Sequence, residues 1–147
     1  MAFVSVTRLR VRSYFYLPQF IWWANKSARQ AEVSPGFLGG ILMRNARNVF
    51  WTLTVWNEEA SMNAYRIAGA HRSVMPKLLS WCDEAAVAHW QQDSAELPSW
   101  QEAHRHLVQE GRLSKVNHPS PRQSSLSQIL PPESTRAMRM LARAAKS

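Results

Sequence analysis

The chain has 147 residues, 46% of them apolar, seven tryptophans and a formal net charge of +8. That length allows one domain with a real core, while no apolar run approaches the roughly 18–20 residues of a membrane span. A single cysteine, Cys82, excludes an internal disulfide and a cysteine-built zinc site.

The charge divides into +6 over residues 1–49, −3 over 50–114 and +5 over 115–147. A basic tail can meet nucleic acid or an anionic membrane. With no binding motif present, a solvated basic surface is the favoured reading. Tyr14–Ala24 follows three arginines as a signal peptide would, but it contains Pro18 and Gln19 and leads to no small-x-small site, so a cytoplasmic protein is expected.

Phe3–Val11 alternates as a strand, with Phe3, Ser5, Thr7, Leu9 and Val11 on one face and Val4, Val6, Arg8 and Arg10 on the other. A helix follows over Tyr14–Glu32, opened by Ser13 or held back to Pro18, which fits only a first turn. Phe37–Arg44 reads as a second strand whose glycine pair suggests a bulge or a close approach. Val49–Trp56 is β-branched and aromatic, the signature of a buried third strand. Asn57 then caps a long helix from Ala60 to Cys82, with Glu58 and Glu59 at its positive end. Ala85–Gln91 is a fourth strand. Pro98-Ser99 opens a helix over Trp100–Glu110 that Gly111 stops. Val116–Glu133, rich in Pro, Ser and Gln, is expected to be largely irregular, and Ser134–Lys146 to form a short basic amphipathic helix.

The element order is β-α-β-β-α-β, the ferredoxin-like split arrangement of the α+β class. It implies a four-stranded antiparallel sheet with helices on one face. The face bearing Val4 and Val6 needs a cover, which a second copy would supply as a homodimer. The expected division is a domain over 1–114, including the added helix, and a tail over 115–147.

Into the apolar stripe of the long helix (Ile67, Ala68, Val74, Met75, Leu78) falls His71, an ionisable ring aimed at the core. A lone histidine in such a place is more often a packed, hydrogen-bonded core residue than a ligand. Pro76 opposes the carbonyl of Arg72 and is expected to kink the helix there. His104 and His106 lie two apart on a helix and cannot share a metal. Arg8, Arg10 and Arg12 are expected to meet acids of a partner or lie near an edge, and Asp83-Glu84 to end a helix in solvent. No GxGxxG, Walker, HExxH or GxSxG pattern is present, so nucleotide, zinc-protease and serine-hydrolase chemistry lose their support.

Leu53-Thr54-Val55-Trp56 ending the third strand, Glu58-Glu59 at the helix start and Ala70-His71 within it resemble the dimeric α+β barrel superfamily. That group includes antibiotic-biosynthesis monooxygenases and haem-degrading monooxygenases. The likeness covers Phe3 to about Trp90. Trp81–Ala85 (WCDEA) and Pro98–His104 (PSWQEAH) look like a poorly characterised bacterial branch of it. In the haem-degrading relatives a histidine at the position of His71 ligates iron, a strand-one asparagine falls at Thr7 and a helix tryptophan at about Tyr65. Only the histidine is retained here, which counts against that reaction while leaving haem open as a cofactor. Other relatives oxidise phenolic substrates with dioxygen and no cofactor.

The resemblance therefore implies a small oxygenase, cofactor-free or haem-binding, acting on a hydrophobic aromatic or polyene substrate between sheet and helices. His71 would be the base or iron ligand and Tyr65 its catalytic companion, with Thr7, Trp56 and Met75 in the pocket wall. The alternative is a non-catalytic ligand-binding or assembly protein whose basic tail contacts nucleic acid, membrane or another protein.

Overall fold

The computed structural model describes residues 1–132 and 136–142. Its strands are β1 (Ala2–Val11), β2 (Phe37–Arg44), β3 (Val49–Trp56), β4 (Cys82–Gln92), β5 (Arg112–Leu113) and β6 (Arg136–Met140). The helices are α1 (Leu17–Glu32), α2 (Glu59–Arg66), α3 (Gly69–Trp81) and α4 (Trp100–Glu110). All six strands form one antiparallel sheet in the order β5-β4-β1-β3-β2-β6. The expected α+β core is present, with six strands rather than four. No helix among the described residues is long and apolar enough to cross a membrane.

Alternation along β1 and β3 sorts the side chains onto two faces. Phe3, Ser5, Thr7 and Leu9, with Thr52, Thr54 and Trp56, face α1, α2 and α3. Val4, Val6, Trp51, Leu53 and Val55 face the other way and are completely buried. What buries them corrects the expectation of a second copy. Ala103 and Leu107 of α4, together with Leu126 and Ile129, close this face within one chain. The sequence shows that face as apolar, and α4 and the following segment occupy it here. No open sheet face remains for the homodimer as drawn.

Residues after β5 wrap the sheet edge beside β4. The Ser114 amide donates to the Ala85 carbonyl at 2.9 Å, and that of Ser120 to the Asp83 carbonyl at 2.9 Å. The Gln123 side-chain amide takes over the backbone of Ala85, accepting from its N–H at 3.1 Å and donating to its carbonyl at 3.1 Å. The chain then crosses behind the sheet, where His104 Nε2 donates to the Ile129 carbonyl at 2.9 Å. It reaches the far edge as β6, paired with β2 from Arg44↔Arg136 to Gly40↔Met140.

The expected amphipathic helix is thus a strand over Arg136–Met140 followed by irregular chain at 141–142; residues 134–135 and 143–146 lie outside the described ones. A short isolated helix is marginal in water. The open edge of β2 instead offers a row of unpaired backbone groups. Gly40 makes room, since a Cβ there would sit 2.8 Å from Met140 Cε and 2.7 Å from the Leu53 carbonyl oxygen. The bulge expected from the glycine pair also occurs, between Phe37 and Gly39.

The long helix expected from Ala60 to Cys82 is two helices. The break lies at Ile67–Gly69, before Pro76 rather than at Arg72, and Gly69 takes φ +55°. It rotates the expected apolar stripe, leaving Ile67 69% and Met75 43% exposed while Val74 and Trp81 stay buried. One side chain splints the break. Gln30 Nε2 donates to the carbonyls of Tyr65 (3.0 Å) and Ala68 (2.8 Å), and Gln30 Oε1 accepts from the His71 amide at 2.9 Å.

Candidate functional site

Between the sheet and the three front helices lies a cavity of about 250 Å³. Its floor is set by strand register. Ser5 opposes Thr54 and Thr7 opposes Thr52 across β1 and β3, while Ser5 also opposes His89 of β4. Paired side chains share a face at about 5 Å, so four hydroxyls and one imidazole form a polar patch on the sheet floor beneath a largely apolar roof. Phe20, Ala24 and Ala28 of α1, Met62 of α2 and Val74 and Leu78 of α3 supply its apolar roof. Thr54 Oγ1 accepts from Trp56 Nε1 at 3.0 Å, which leaves its own proton for another acceptor. Ser27 Oγ is buried at the cavity wall with no partner among the described residues.

His71 enters this chamber because the Gln30 splint restarts the helix just before it. Its Nδ1 lies 3.3 Å from the Arg66 carbonyl, an acceptor only, so that nitrogen carries the proton and Nε2 is left with a lone pair. Burial depresses its pKa most; the Arg66 carbonyl works against that, and the Arg66 charge adds to it. The ring is therefore neutral at pH 7.

Tyr65 stands beside it, ring centres 4.8 Å apart, and is backed by Trp56 at 5.2 Å. The Tyr65 hydroxyl donates to the Ser27 carbonyl at 3.1 Å, and burial raises its pKa well above the usual phenol value. It holds its proton and acts as a wall.

Of the residues singled out from sequence, Thr7, Tyr65, His71 and Met75 all line this one cavity. Met75 does so at its mouth, shared with an outer groove bearing Arg66, Ile67, Arg72 and Pro76. Trp56 is fully buried behind Tyr65 and does not line the cavity. Sequence reading missed Ser5, Thr52, Thr54 and His89. Alternation alone pointed to them, because Ser5 shares a face with Thr7, and His89 shares one with Ala85 and Val87. It also missed Ser27, Gln30, Arg66 and Arg112, whose places in the cavity wall or at the helix break are set by tertiary contacts. Cys82 is buried and its thiol is pushed up to about 12, by burial first and the Asp83 charge second, so it is no nucleophile.

The haem suggested by resemblance fits poorly. The chamber lies below the roughly 300–1,000 Å³ range of ordinary ligand pockets, and the Tyr65 ring already packs against the imidazole, ring centres 4.8 Å apart.

The Gln30 splint is expected to matter more to the site than to the sheet. Gln30→Ala removes three hydrogen bonds at the helix break and is expected to cost about 1–3 kcal/mol. Gly69→Ala, forced to φ +55° with its Cβ about 3.1 Å from the Gln30 amide carbon, is expected to cost about 1–2 kcal/mol. Urea unfolding monitored by tryptophan fluorescence reads both. Unchanged midpoints would show that the break needs no splint.

The front half of this fold recurs in solved structures. A conserved protein from Methanosarcina mazei Go1 superposes with a TM-score of 0.57 at 14% identity, over 63% of this chain and 94% of its own. SnoaB, a cofactor-independent oxygenase from Streptomyces nogalater, does so at 0.54 and 16%, over 67% and 98%. An antibiotic biosynthesis monooxygenase gives 0.56 and 10%, over 64% and 100%. At these identities the likeness is one of fold. It is the antibiotic-biosynthesis-monooxygenase-like fold, extended here by about a third of the chain. No curated protein matches the sequence. The family profile described as Domain of unknown function (DUF3291) matches residues 16–138, and the chain belongs to that family.

Proposed function

We propose that the protein is a small, cytoplasmic, monooxygenase-type enzyme that binds an apolar, ring-bearing substrate in the cavity and uses His71 as its base. The observation that carries this reading is the state of His71: neutral, with Nδ1 engaged by the Arg66 carbonyl and Nε2 free in an apolar chamber. Such a base takes a proton from an acidic C–H or O–H of the substrate, leaving an electron-rich anion able to react with dioxygen. The hydroxyls of Ser5, Thr7, Thr52 and Thr54 orient the anion's oxygens. The apolar roof excludes water, which strengthens those contacts. Tyr65, its proton committed to Ser27, holds the imidazole in place. The sharing of fold with SnoaB and with the monooxygenase structure supports this chemistry without fixing a substrate.

Oxygen uptake on 1,4-dihydroxynaphthalene, measured against autoxidation in buffer, tests the reading. Wild-type protein is expected to accelerate uptake, and His71→Ala to lower kcat by about 10²–10⁴-fold. The acid limb of the pH profile is expected below the usual histidine value of about 6.5, because burial favours the neutral ring. Acceleration that survives His71→Ala would remove the histidine from the mechanism. No acceleration by wild type would count against oxygenase chemistry on phenolic substrates.

A further inference from the structure

The charge lining the cavity is one-sided. Arg66, Arg112 and Lys115 line it, and no Asp or Glu among the described residues does. None of the three has an ion-pair partner among the described residues. Arg112 arrives by register. It pairs with Val87, so its side chain takes the face that Val87 shares with Ala85 and His89, the cavity face. Arg66 arrives from the opposite wall, as the last residue of α2, with its carbonyl against His71.

His89, opposite Ser5 on the sheet, lines the same cavity. Burial lowers its pKa most, and the Arg66 and Arg112 charges lower it further; only Glu59, which does not line the cavity, acts the other way. Two guanidinium groups on the cavity wall, Arg66 half-buried and Arg112 reaching solvent, therefore act on one imidazole with no carboxylate among the described residues lining the cavity to offset them. Such a wall favours an anion, and a guanidinium fork suits a planar carboxylate best.

We propose that the cavity's natural ligand is a small carboxylic acid with an apolar, ring-sized body. Its carboxylate sits at the mouth between Arg66 and Arg112, and its body lies inward over the hydroxyl floor. This rests on the cavity being the working site and names the class of compound that enters it. Arg72, which lines the outer groove with Met75 and the exposed Ile67, extends the positive field outward and draws acids toward the mouth.

Isothermal titration with 2-naphthoate and its neutral amide, 2-naphthamide, separates the possibilities. The acid is expected to bind about tenfold or more tightly than the amide, and to weaken as salt rises. R66Q and R112Q are each expected to weaken naphthoate roughly ten- to hundredfold and to leave naphthamide unchanged. Circular-dichroism melts on each variant establish that it is folded. K26Q, on the outer side of α1, is expected to change neither ligand. Equal binding of acid and amide, or equal losses for both in R66Q and R112Q, overturns the carboxylate clamp while leaving the cavity as a binding site. Binding of neither compound overturns both the clamp and the cavity as a site for ring-sized ligands.

Discussion

A chain ended at Ser114 is expected to be unfolded or aggregated rather than a trimmed version of the same fold. Ile129 and Met140 are each more than nine-tenths buried. Each contributes about 1.5–3 kcal/mol by leaving water, against a typical total stability of about 5–15 kcal/mol. The truncation also strips the Gln123 bonds from Ala85 and the Ser120 bond from Glu84. It opens the apolar rear face around Val6 and Trp51 and bares the edge of β2, two surfaces that promote association. A milder variant separates packing from chain length. Ile129→Ala in the full chain is expected to cost about 2–4 kcal/mol, read by urea unfolding. A truncated protein that stays monomeric and melts within a few degrees of the full chain would show that the cover is dispensable.

The second large effect is expected at the rear ion pairs. Arg8 Nη1 donates to Glu84 Oε1 at 2.7 Å, with both side chains under a tenth exposed, and Arg10 pairs with Asp83 at 2.5 Å. This replaces the expectation that these arginines meet a partner's acids and that Asp83-Glu84 face solvent. Because β4 starts at Cys82, three residues before its expected start, both acids become strand residues beside β1. Arg8→Met leaves Glu84 buried without its main counter-charge and is expected to cost about 3–5 kcal/mol. The double variant Arg8→Met, Glu84→Leu is expected to recover most of that, since an apolar pair of similar size removes both desolvated charges. A double variant no better than the single one would show that the pair itself supplies the stability.

The two acids titrate in opposite directions. Burial would raise Glu84, but the hydrogen bonds from Arg8 and Ser120 and the charges of Arg8 and Arg10 outweigh it, so its pKa falls below the usual value. Its stabilising contribution is present above about 4.3, the ordinary glutamate pKa, and is lost as pH drops through the lower folded value. Asp83 is raised, by burial first and the Glu84 charge in part, against the pull of Arg10. It favours folding in its protonated form, a contribution lost as pH rises through its raised pKa. Acid melts are therefore expected to steepen only below the ordinary glutamate range, and Glu84→Gln to flatten that limb.

Much of this architecture was legible because it is local. Alternation in Phe3–Val11 and Val49–Trp56, the Ser99 cap and Gly111 stop of α4, Ser13 ahead of α1 and Pro18 in its first turn each carry their signal within a few residues. His71 was legible for the same reason, as an ionisable group among apolar neighbours. Three features were not. The helix break at Gly69 depends on Gln30, 39 positions earlier, so periodicity ran straight through it and placed Ile67 inside. The strand β6 depends on a free edge of β2, and a basic apolar-polar segment reads as a helix when that edge is out of view. The floor of the cavity depends on which residue of β1 lies opposite which of β3 and β4.

By itself the sequence determined the first four strands, the class of fold and the presence of an ionisable ring among apolar helix neighbours, since each follows from nearest-neighbour sterics and burial. Tertiary structure alone decided which surface covers the rear of the sheet, which hydroxyls meet in the cavity and which cations stand over its mouth. Those are contacts between residues far apart in the chain. Their free energy comes from closing the whole sheet at once, and no window of sequence contains it.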